Sequence, residues 1–170
     1  MHTANHRSSS RGFTLVEVMV SLVVLGIGLL GIAKLVLFSA HSNDSAYLRS
    51  QATELAYAIL DNMRGNRAVA MAQGYDTPLN TVPGVPGACV GAPCLPPALA
   101  VDDINSWLTR LAAALPSGTG SITTVTNVAP TPGTTATIIV QWDDAAAQTV
   151  FGGTAQGAAA PMQVTLETVL

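Results

Sequence analysis

The chain has 170 residues and a formal net charge of −3, and only 10% of its residues are charged although 49% are hydrophobic. That length allows one soluble core and one further extended element. Outside the first twelve residues the cations are Lys34, Arg49, Arg64, Arg67 and Arg110, too few and too dispersed for the counterion-release binding used on nucleic acid.

The chain opens on a basic leader, residues 1–12, with Arg7, Arg11 and no acid. An apolar run follows from residue 13 to 33, whose only charge is Glu17. About 20 such residues suffice for a helix to cross a hydrocarbon core of about 30 Å, so residues 13–40 are expected to form a transmembrane helix. Short basic flanks stay on the cytoplasmic side, which puts everything after residue 40 outside. A secretory signal has a shorter apolar core followed by a small-residue cleavage site. Here the run is long and Phe38-Ser39-Ala40 is a poor match to such a site. Glu17 is costly at that depth, about 2.5 to 3.5 kcal/mol near a helix centre, and such groups usually mark function. A cut between Gly12 and Phe13 would create an ammonium one helical turn from Glu17, the counter-charge that a carboxylate in hydrocarbon requires.

Gly12-Phe13-Thr14-Leu15-Val16-Glu17 resembles the cleavage motif of the type IV pilins and pseudopilins, with its class III prepilin leader. The resemblance implies cleavage after Gly12 by a membrane aspartyl peptidase, N-methylation of Phe13 by the same enzyme, and a glutamate, Glu17, that guides docking against a neighbouring subunit. It also implies an α+β pilin fold, in which a long N-terminal helix packs on a small antiparallel sheet. A signal-anchor helix with a stray acid is the plainer alternative.

The pattern stays helical after Lys34. Leu48, Ala52, Leu55, Ala56, Ile59, Leu60 and Met63 recur at spacings of three and four, and no proline interrupts residues 13–72, which predicts one helix of about 55 to 60 residues with residues 41–72 as its amphipathic half. Gly26, Gly28 and Gly31 each weaken the first half by about 1 kcal/mol relative to Ala; close helix packing and local melting both stay open there.

Residues 73–170 are expected to form the head. Between residues 74 and 97, 10 of 24 residues are Gly or Pro, which reads as an exposed loop of functional length. Cys89 and Cys94, the only cysteines, read as a disulfide in an oxidising compartment. With His41 as the single histidine after the leader, the rival zinc site falls short of four ligands. Asp102 or Asp103 is expected to cap a helix over residues 102–115, whose apolar face is Ile104, Trp107, Leu108, Leu111, Ala112 and Leu115. Strands are expected at 121–128, 135–142 and 162–169, in an antiparallel meander. Asp143 and Asp144 read as a solvated turn rather than a calcium site.

Several stretches beyond the transmembrane half resemble the minor pilins of the PilV type: Leu48-Arg49-Ser50-Gln51-Ala52, Asp61-Asn62-Met63-Arg64-Gly65-Asn66-Arg67, Leu111-Ala112-Ala113-Ala114-Leu115-Pro116 with Gly118, and Val140-Gln141-Trp142-Asp143-Asp144. The resemblance implies a non-enzymatic subunit of a type IV pilus, in its tip or initiation complex. Its partners would be the prepilin peptidase, other minor and major pilins and the inner membrane, with no cofactor and no direct nucleic-acid contact. A minor pseudopilin of a type II secretion system shares the same N-terminus. A membrane-anchored periplasmic enzyme or binding protein is the remote alternative, because His41 beside the membrane is the sole histidine available to a nucleophile outside.

Overall fold

The computed structural model describes residues 12–87, 89, 91, 93–127, 133–144 and 161–170. The leader up to residue 11, Val128 and the Gly/Ala segment over 152–160 lie outside the described residues. The chain divides into two compact units, Met1–Ala40 and His41–Leu170.

Helix α1 runs Leu15–Gly65. It is long and apolar enough to cross a membrane, and between Leu15 and Ala40 every residue is exposed. An apolar surface of that extent is the composition of a helix solvated by lipid rather than by water. The glycines at 26, 28 and 31 leave open space around their Cα atoms, and the helix continues through them.

In the second unit α1 turns amphipathic. Ala52, Leu55, Ala56, Ile59, Leu60 and Met63 are buried, the stripe that a period of 3.6 places on one face. The helix does not reach residue 72. It breaks at Asn66 (φ −117°, ψ 46°), and a five-residue helix, α2, follows at Arg67–Met71. Gly65 lowers helix propensity at the break, and the buried Asn66 donates its side-chain N–H to the Pro96 carbonyl at 2.7 Å. A tertiary hydrogen bond thus replaces continuation of the helical ladder.

Helix α3 runs Pro96–Ala114, starting six residues earlier than its periodicity suggests. Leu95 is the N-cap and makes no side-chain cap, so neither Asp102 nor Asp103 caps the helix. Prolines at its first positions are compatible with helix because the N–H groups there have no intrahelical partner. Trp107, Leu108 and Leu111 are buried, whereas Ala112 faces solvent. Trp107 Nε1 donates to the Leu55 carbonyl at 3.0 Å, fixing α3 to the buried stripe of α1.

The sheet has the order β1-β2-β3, with β1 at Thr119–Asn127, β2 at Gly133–Trp142 and β3 at Met162–Val169. Both pairings are antiparallel, with Ile122 opposite Ile138 and Ile138 opposite Leu166. Alternate residues of β2, among them Ala136, Ile138, Val140 and Trp142, are buried in the same cluster as the α1 stripe and Trp107. This is the α+β architecture of a pilin-like head. Gly120 lies where a Cβ would stand 2.4 Å from the Trp107 ring, so only glycine lets β1 approach α3 so closely.

The loop between α2 and α3 is fastened to the head. Thr77 forms an isolated antiparallel bridge with Ile122 on β1. The Asn80 amide donates to Thr119 Oγ1, the Gly84 amide to Asn105 Oδ1 and the Gly87 amide to Asp102 Oδ1. Cys89 and Cys94 are disulfide-bonded with Cα atoms 5.5 Å apart.

Candidate functional site at the N-terminal end of α1

Gly12, Phe13 and Thr14 precede the first helical residue. Thr14 stands at the cap position: the Glu17 amide donates to the Thr14 carbonyl at 3.1 Å and to Thr14 Oγ1 at 3.3 Å. Thr14-Leu15-Val16-Glu17 therefore has the spacing of a capping box, with its threonine half made. The Thr-x-x-Glu spacing is legible in the sequence and gives Glu17 a helix-starting role beside the charge-pairing and docking roles expected of it. Position three of the helix also favours an acid through the helix dipole, so Glu17 helps to start the helix whatever else it does.

Phe13 is 84% exposed, and an open groove along the helix is lined by Phe13, Glu17, Val18, Ser21, Leu22 and Leu25. Ser21 turns its hydroxyl back to donate to the Glu17 carbonyl at 2.7 Å, which satisfies that hydroxyl within the helix. The Gly12–Phe13 bond has no helical hydrogen bonding to unwind. Gly12 itself has open space where a side chain would begin. Chemically the arrangement offers an accessible peptide bond, an aromatic residue whose amine a cut would free, and a carboxylate one turn further along an apolar surface.

The other candidate site residues singled out from the sequence lie in the second unit. Asp144 is buried and accepts from Ser45 Oγ at 2.6 Å. The reading of residues 143 and 144 as a solvated turn is thereby corrected: Asp144 ties the end of β2 to α1, and the Asp143 amide donates to the Pro116 carbonyl at 2.9 Å. Trp107 belongs to the core.

One polar cluster was missed entirely. The hydroxyl of the buried Tyr75 donates to Asp103 Oδ2 at 2.6 Å, and Asn62 Nδ2 donates to Asp103 Oδ1 at 3.2 Å. Burial pushes the Asp103 carboxyl above the usual carboxylate range, more strongly than the Tyr75 hydrogen bond lowers it. Burial likewise raises the Tyr75 hydroxyl, and the bond to Asp103 adds to that. The cluster joins α1, α3 and the start of the loop, and its partners are too far apart in sequence for any motif to reveal it.

Among known proteins, residues 7–33 match the family model described as the prokaryotic N-terminal methylation motif. No curated protein and no solved structure matches the chain. That motif implies processing by a prepilin peptidase and assembly with other pilins, and it points to a structural subunit rather than an enzyme. With the apolar helix that fits membrane anchoring and the α+β head behind it, the matched segment supports a type IV pilin- or pseudopilin-like protein.

Proposed function

We propose that the chain is a minor pilin. It is cut between Gly12 and Phe13 by a prepilin peptidase, methylated on the Phe13 amine, held in the inner membrane with its head in the periplasm, and built into a type IV pilus in the tip or initiation complex. The single observation that carries this reading is the placement of Glu17, one turn from Phe13 in the exposed apolar helix, within the segment that matches the methylation motif. A carboxylate left unpaired in hydrocarbon is costly. Its retention makes sense if it meets the Phe13 ammonium of an adjacent subunit and sets axial register on docking. The resemblance of the Arg64-to-Arg67 stretch and of the C-terminal stretches to PilV-type minor pilins favours a pilus over a type II secretion machine.

Glu17→Val tests the reading because it separates anchoring, cleavage and assembly. The variant makes the run more apolar, so it should insert as well as the wild type and be cut after Gly12, yet its recovery in sheared pili should fall about tenfold or more. Accumulation of precursor would assign Glu17 to cleavage instead, and normal recovery in pili would remove its docking role. Capture of the wild-type protein with secretion-system components and no pilins would move it to the pseudopilin class.

A further inference from the structure

The sheet has two edges, and the chain treats them differently. On the outer side of β1, Ile122 exchanges both backbone hydrogen bonds with Thr77 at 2.9 Å. Two residues on, the Thr124 amide donates to Asp76 Oδ1 at 2.9 Å, and its carbonyl accepts from Gln73 Nε2 at 3.3 Å. That edge is covered by the chain's own loop, a common protection against strand pairing.

On β3 the phase of the ladder follows from the Leu170 amide, which donates to the Thr134 carbonyl at 2.9 Å. Residues opposite one another alternate between bonded and non-bonded pairs, so Met162, Val164, Leu166 and Thr168 aim their backbone groups at β2. Gln163, Thr165, Glu167 and Val169 aim theirs outward. Among the described residues nothing pairs with these outward groups. The strand is eight residues long, contains no Pro, Gly or Lys, and keeps a continuous register with β2. Apart from the charge of Glu167, the described residues supply none of the usual devices that blunt this edge.

We infer that β3 is a docking edge that receives an extended segment of a neighbouring, different subunit as a fourth strand, with apolar residues beside Val164 and Leu166 and a Lys or Arg opposite Glu167. This rests on the reading of the chain as an assembling subunit. Glu167 is the one charged side chain on β3, is exposed, and has no ion pair among the described residues, so a cation across the new ladder complements it. Val164 and Leu166 pack against the core yet are only partly buried, whereas their β2 neighbours Ile138 and Val140 are fully buried. An added strand would complete that cover.

A second copy of this chain does not fit the edge. Antiparallel pairing of β3 with its own copy offers Glu167 no cation, because β3 contains no Lys or Arg. Parallel pairing of the same edges would put the two apolar sides on opposite faces of the joined sheet.

The test is residue-resolved amide hydrogen exchange on the full-length chain, purified alone in detergent and captured mildly from membranes with its bound subunits. Amides of Thr165 and Glu167 should exchange at least about tenfold more slowly in the complex than in the chain alone, while those of Val164 and Leu166 are slow in both. Thr165→Pro removes one outward N–H and spares the ladder to β2. That variant should still be cut after Gly12 and melt like the wild type, but retain about tenfold less of its bound subunits, whereas Thr165→Ala retains them. Outward amides that exchange equally fast in both samples, a wild-type chain that captures no subunit, or a Thr165→Pro variant that keeps its neighbours would overturn the inference. So would protection that appears in the isolated chain at high concentration, which would assign the edge to a second copy. A chain absent from sheared pili but protected at β3 in its membrane complex would sink the pilus reading and leave this one standing.

Discussion

Asp103 is held by two hydrogen bonds from residues on other segments, the Tyr75 hydroxyl and the Asn62 amide, yet burial still raises its pKa. Asp102 adds to the rise and Arg110 opposes it. In the folded chain the carboxyl keeps its proton to higher pH than in the unfolded chain, so this group favours folding most below the ordinary carboxylate pKa of about 3.9, and the advantage is lost as pH rises through the folded value. Asp103→Asn can keep both bonds by orienting the two amides. Its melting temperature should therefore gain on the wild type as pH rises from about 4 to about 7; parallel curves over that range would contradict the assignment. The Ser45 hydroxyl is a different case, because its carboxylate partner Asp144 is buried. Ser45→Ala leaves that acceptor short of a donor and should cost about 1 to 3 kcal/mol in urea unfolding, while Asp144→Asn, which retains an acceptor, should cost less.

Among the elements, those whose signal is a period were legible from the residues alone. The apolar stripe from Ala52 to Met63 sits on the buried face of α1, and β3 occupies Met162–Val169 as alternation predicts. What depended on contacts across the fold was not legible. The start of α3 at Pro96 was hidden because Pro-Pro reads as loop until the helix behind it is known, and the break at Asn66 depends on a carbonyl 30 residues away. For the same reason the partners of Asp103 and Asp144 were invisible while the acids themselves were plain. The disulfide joins two cysteines only five apart, so it restricts little chain entropy. Replacing both Cys89 and Cys94 by Ala should lower stability by about 2 kcal/mol at most and leave the core intact. Faster exchange should be confined to the loop, measurable by amide exchange at Gly84 and Gly87; loss of the cooperative transition would show that the bridge holds more than the loop.

At the scale of the whole chain, the first unit carries the matched methylation motif and the exposed apolar helix, and the second carries the packed head. The proposal that links them is a processed subunit: the leader keeps the precursor oriented in the membrane, the cut after Gly12 frees the Phe13 amine, and Glu17 uses a neighbour's amine to dock. Everything after the cut depends on the cut itself. Intact-mass analysis of the protein extracted from cells that contain a prepilin peptidase tests this most directly. The account predicts a chain that begins at Phe13, lacks residues 1–12 and carries one added methyl on its amine, with Gly12→Leu accumulating as unprocessed precursor in the inner membrane. A mature protein that still begins at Met1, or one that begins after Ala40, would contradict it.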